Sequence, residues 1–99
     1  MVIIGMSSYP PTSANEVGKL FLEQPPLAEF ITRKGPYIFS VKGEGYQSIS
    51  LFEFDNSKMA EAMKSIANFF VGLRDAPGFT YSMRVCFEVQ EALNMIGLA

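Results

Sequence analysis

The order of apolar periods along this chain constrains its fold more than any single residue does. Two-residue alternation runs through Val2–Ser8, Tyr37–Lys42, Tyr46–Phe54 and Tyr81–Val89. Helical spacing occupies the stretches near Asn15–Gln24 and Lys58–Leu73. Read in order, the pattern is β-α-β-β-α-β. Two helices can cover one face of a four-stranded sheet, so the other face is left to water, a ligand or a second chain.

Punctuation supports these boundaries. Tyr9-Pro10-Pro11 ends the first strand, and Ser13 with Glu16 three residues on fits a capping box at the first helix. Val17, Leu20 and Phe21 form its apolar stripe, and Pro25-Pro26 stops it. Gly35-Pro36 interrupts the approach to the second strand, which predicts a bend or bulge there. Gly43-Glu44-Gly45 reads as a three-residue hairpin loop pairing Lys42 with Tyr46. That register places Tyr37, Phe39 and Val41 beside Ile49 and Leu51, and sets Ile38, Ser40, Ser48, Ser50 and Phe52 on the opposite face. Asp55-Asn56-Ser57 caps the second helix, whose stripe is Met59, Ala62, Met63, Ile66, Phe69, Phe70 and Leu73. Glu91–Leu98 can form a short terminal helix.

Composition narrows the function classes. Ninety-nine residues make one domain, 1–99, and a chain that is 48% hydrophobic at this size has an apolar surplus pointing to an oligomer. Net charge is −2 and the eight Lys and Arg are scattered, which speaks against nucleic acid. No apolar run reaches the roughly 18 residues of a membrane span. The opening residues MVIIGMSS lack a basic segment and read as strand, not signal peptide. Cys86 is the single cysteine, consistent with a reducing cytoplasm. There is no histidine, which removes Ser-His and Cys-His relays, histidine-ligated haem and the usual zinc sites. The acids are not clustered as a cation loop requires, so neither metal nor cofactor is expected.

The cleaner apolar faces (Val2, Ile4 and Met6; Tyr37, Phe39 and Val41; Tyr81, Met83 and Val85) are expected under the helices. Ile3, Gly5, Ser7, Ile38, Ser40, Ser48, Ser50, Phe52, Ser82, Arg84, Cys86 and Glu88 then share the open face. Such a mixed patch needs a partner, and the simplest is a second copy packed sheet to sheet about a two-fold axis.

The βαββαβ order is that of ferredoxin-like domains, an antiparallel sheet with two helices on one face. Together with the Tyr9-Pro10-Pro11 break, the Gly43-Glu44-Gly45 hairpin and the run Phe52-Glu53-Phe54-Asp55-Asn56 leading into an Ala/Met-rich helix, it resembles the dimeric α/β-barrel superfamily. More narrowly, it is similar to that superfamily's small prokaryotic families of unknown function. The resemblance implies a homodimer whose two sheets enclose a barrel, often with a cavity. Members include cofactor-free monooxygenases, isomerases and haem-degrading enzymes. Their catalytic His and Trp have no counterpart in this chain, so no catalytic residue is carried over.

The candidate ligand-binding residues are Arg84, Tyr9, Tyr46, Ser7, Ser48, Ser50, Cys86 and Phe52. Arg84 has the planar fork that clamps a carboxylate or phosphate, and equally suits an interface ion pair with Glu53 or Glu88. Cys86 reads as a redox thiol beside a cation or as an inert small hydrophobe. The serines suit a polar pocket or simple close packing, and the tyrosines a hydrogen-bonding rim or an ordinary edge. The leading expectation is a dimer that binds a small apolar or aromatic anion between its sheets. The alternatives are a cofactor-independent enzyme of the monooxygenase or isomerase kind, and a module that only dimerises.

Overall fold

Eight alternating residues at the start of the chain form the first strand, β1 (Val2–Tyr9), in a computed structural model that describes residues 1–98. A 3-10 turn, Pro11–Ser13, leads into α1 (Ala14–Glu23). Then follow β2 (Thr32–Val41), β3 (Gly45–Glu53), a 3-10 turn at Asn56–Lys58, α2 (Met59–Val71), β4 (Thr80–Cys86) and α3 (Val89–Met95). The strands make one antiparallel sheet in the order β2-β3-β1-β4. The Gly35-Pro36 break appears as a register shift between Lys34 and Tyr37, so β2 continues through it as a bulged strand.

Local chemistry differs from expectation at the start of α1 and agrees with it ahead of α2. Ser13 does not cap α1; its hydroxyl donates to the carbonyl of Pro77, tying the helix start to the loop before β4. Asp55 does cap, accepting from the Ser57 backbone N–H. The last strand stops at Cys86, and Glu88 and Glu91 form a reciprocal capping box for α3. Glu91 also meets the Met1 ammonium at 2.6 Å and the Asn56 amide at 2.9 Å.

Pairing register decides which residues share a face, because directly opposed residues point the same way. Ile3 lies between Phe52 and Val85, Gly5 between Ser50 and Met83, and Ser7 between Ser48 and Tyr81. This is the face that both helices cover: Ile3 and Phe52 form one core with Ala62, Ile66 and Phe70 of α2, and Leu20 and Phe21 of α1 pack against it. The expected assignment of faces is therefore reversed for β1, β2 and β3. Val2, Ile4 and Met6, with Tyr37, Phe39, Val41, Ile49 and Leu51, lie on the open side. The physical reason is volume. The helices bring large side chains (Ile66, Phe69, Phe70, Leu73), so the sheet beneath them must be small. A Cβ on Gly5 would sit 2.6 Å from the Phe70 ring, which occupies that space. Phe52, expected at a dimer face, is 0% exposed in the core.

The hairpin sets of residues are as expected, but the loop slides by one position. Val41 pairs with Gly45, leaving Lys42, Gly43 and Glu44 as the three-residue loop. That slide changes pair partners and keeps each side chain on its face.

The Glu91 cluster has a pH signature. The Met1 ammonium foremost, then the Glu88 backbone N–H and the Asn56 amide, hold the Glu91 carboxyl at about 2, below its ordinary 4.5. A depressed carboxyl contributes its full stabilisation above the unfolded value and loses it as pH falls through the folded value. Protection of the Ala92 and Leu93 amides, relative to their intrinsic exchange, is expected to fall between roughly pH 4 and 2, while the Ile66 amide stays protected. Unchanged α3 protection down to pH 2 would show that Glu91 does not hold this helix.

Candidate functional site

The helix layer rests on the two middle strands and leaves part of β2 uncovered. Ile38 points to the helix side, opposite Ser48, yet is 59% exposed. Under α1, between it and the sheet, lies a cavity of about 250 Å³. Its walls are largely apolar: Val17 and Phe21 from α1, Phe69, Phe70 and Leu73 from the α2 segment, and Phe79 before β4. Gly18 of α1 and Ile38 of β2 are its exposed lining residues and mark its mouth.

The floor is polar in one place. Ser7 of β1 and Ser48 of β3 face each other in register, both buried, with their Oγ atoms 2.5 Å apart. Ser50, 5% exposed, adds a third hydroxyl two residues along β3. Tyr9 closes one end, its ring 5.7 Å from Tyr46 and 6.4 Å from Phe79. Burial foremost, then repulsion from Tyr46, raises the Tyr9 phenol above its ordinary 10.0. It is therefore a neutral donor at physiological pH. Among the described residues, no Lys, Arg, Asp or Glu lines this cavity.

The eight residues singled out from sequence fall into four groups. Ser7, Ser48, Ser50 and Tyr9 come together on the cavity. Tyr46 touches it only through the Tyr9 ring and lines a separate groove with Pro10 and Pro11. Phe52 is core, edge-on to Phe70 at 6.2 Å between ring centroids. Arg84 and Cys86 lie on the other side of the sheet, because Arg84 opposes Ile4 and Cys86 opposes Val2. The expected common face joining Arg84 to the serines does not form. On β1 and β3, Ser7, Ser48 and Ser50 are in phase with Ile3 and Phe52, whereas Arg84 is out of phase with them.

Around Arg84 the open face carries Ile4, Leu51 and Ile49, with Lys34 and Glu53 paired at 2.9 Å near one corner. Glu53 is thus engaged with Lys34, and among the described residues Arg84 makes no ion pair. Cys86 is half-buried, with its thiol 3.8 Å from the Arg84 carbonyl oxygen. Among the described residues no group of three His, Cys, Asp or Glu side chains could hold a metal ion, and no helix is long and apolar enough to cross a membrane.

Sequence reasoning did not single out Gly18, Phe21, Phe69, Phe70 and Phe79 as a lining. One signal was available. Gly18 interrupts the middle of a helical pattern, where glycine is unfavourable and needs a local reason. A Cβ there would meet nothing within 4 Å, so close packing is not that reason.

No protein-family model matches this chain, and no curated protein does. Among solved structures, it is similar to a DUF3240 family protein from Shewanella baltica OS155, at 13% sequence identity and a TM-score of 0.32. The match covers 88% of this chain and 91% of that one.

Proposed function

We propose that this chain is a small-molecule-binding protein whose site is the cavity between the helix layer and the sheet. The observation that carries this reading is a mostly apolar cavity with three serine hydroxyls gathered on its floor, the composition of a ligand pocket. An apolar cavity of about 150 Å³ is enough to take up benzene, so this one has room for a substituted ring. The serines have no histidine or carboxylate beside them to activate a hydroxyl, which favours binding over acyl transfer. Arg84 is not part of this site, and the ligand expected here is not the anion that Arg84 suggested.

Gly18 separates binding from folding. Gly18→Leu directs a side chain into the mouth and replaces a mid-helix glycine, a change that favours the helix by about 0.5–1 kcal/mol. The variant is expected to melt no lower than the wild type and to lose saturable binding of ethylbenzene, followed by NMR shifts of the Val17 and Ile38 methyls. Equal binding by both proteins would remove the cavity as the site.

A second reading has its own observation. The chain exposes 6447 Å², whereas a folded monomer of its 11.0 kDa exposes about 5600 Å². The excess, on the order of 800 Å², is what one partner contributes to a standard interface. Its Cα radius of gyration, 15.1 Å, likewise exceeds the roughly 13 Å of a compact domain this long. A second copy packed on the open sheet face, where Met6, Tyr37 and Phe39 are exposed, would cover part of this area. That arrangement is the sheet-to-sheet homodimer of the dimeric α/β-barrel superfamily, and the element and strand order agree with a ferredoxin-like domain.

A further inference from the structure

We infer that the cavity selects an uncharged ligand bearing a carbonyl-type oxygen, such as a ketone or ester, and that the Ser7–Ser48 hydroxyl pair recognises that oxygen. The inference rests on the cavity being a binding site and adds the chemistry it reads.

Each serine hydroxyl has one proton to donate and two lone pairs. Ser7 and Ser48 are bonded to each other, which uses one proton and one lone pair, and leaves the pair one proton to donate and three lone pairs. A carbonyl oxygen engages the proton. Both side chains come from directly opposed positions on neighbouring strands, so the sheet fixes their spacing without help from a loop. A ligand oxygen placed above them receives that remaining proton. The rest of the lining, Val17, Phe21, Ile38, Phe69 and Phe79, is shaped for hydrocarbon.

The lining also argues for a neutral ligand. An anion would be taken from water into a lining with no cation and only hydroxyl donors, since Arg33 stacks on Phe21 and Phe69 from a separate groove, and a cation would enter one with no carboxylate. Tyr9, among the described residues the one titratable group in this lining, is a phenol and neutral at physiological pH, and burial shifts it further in that direction. Arg84 is on the far side of the sheet and offers such an anion nothing.

Three probes of nearly one shape test this. Ethylbenzene, acetophenone and benzoate are titrated into the protein under the same NMR observation. Acetophenone is expected to bind about fivefold tighter than ethylbenzene, the return of one added hydrogen bond. Benzoate is expected to bind at least roughly tenfold more weakly than acetophenone. In the double variant Ser7→Ala/Ser48→Ala, both hydroxyls leave together, so no buried donor is stranded. There acetophenone is expected to bind more weakly than ethylbenzene, because its carbonyl leaves water without gaining a donor. If ethylbenzene saturates the cavity but acetophenone binds no tighter, the hydroxyl-pair assignment is wrong and the cavity stands. The assignment is equally wrong if benzoate binds best or if the double variant keeps the preference. If none of the three binds, the cavity reading falls and this inference falls with it.

Discussion

Phe52→Asp is expected to abolish cooperative folding. Phe52 is 0% exposed and packs among Ile3, Ile66 and Phe70 under α2. Its removal forfeits roughly 1.5–3 kcal/mol of apolar burial, and the new carboxylate adds a buried, unpaired charge costing several kcal/mol. Together these approach the roughly 5–15 kcal/mol that holds a small domain folded. Circular dichroism should show no thermal transition at neutral pH. A folded variant with a normal melt would mean that the core is not built on this face.

One residue earlier, the same substitution is expected to do something different. Leu51 alternates with Phe52 and so lies on the open face, half-buried, opposite Ile4 and beside Lys34. In an isolated subunit an Asp there reaches water and finds a cation in the neighbouring register position. Leu51→Asp should therefore stay folded, within about 1 kcal/mol of the wild type, as surface changes usually do. In a sheet-to-sheet dimer the same Asp is taken out of water against the partner's sheet. Sedimentation at micromolar concentration is expected to show a dimeric wild type and a monomeric, folded Leu51→Asp. A monomeric wild type would refute self-association through this face.

The contrast between these neighbours also marks where the sequence was readable. Alternation in Val2–Tyr9 and Tyr46–Phe54 located the strands, and it separated Phe52 from Leu51. Gly35-Pro36 announced the bulge through proline's missing N–H. What alternation could not decide was which of two partly apolar faces the helices would take. Hydrophobicity favoured Val2, Ile4 and Met6, but packing selected the face with Gly5 and Ser50, because Phe70 needs a shallow floor. Ser7, Ser48, Ser50 and Tyr9 share one cavity for that reason. Alternation put the serines on one face of their own strands, and the fold adds the register that sets Ser7 against Ser48. Arg84 lies on the open face, as alternation with Met83 and Val85 predicts; it was Ser7, Ser48 and Ser50 that sequence placed beside it and that the fold turns under the helices.

The bulge in β2 has a consequence for how copies of this protein can meet. A strand at the border of a sheet offers unpaired N–H and C=O groups to any passing strand. Here the border strand is stepped between Lys34 and Tyr37, and Pro36 has no N–H to offer. Despite exposed Tyr37, Ile38 and Phe39, that border is a poor template for continuous ladder growth. Ladder growth through this border is disfavoured, and of the two edges it is β4, with an unbroken register and no proline, that keeps its backbone groups free for a neighbouring strand.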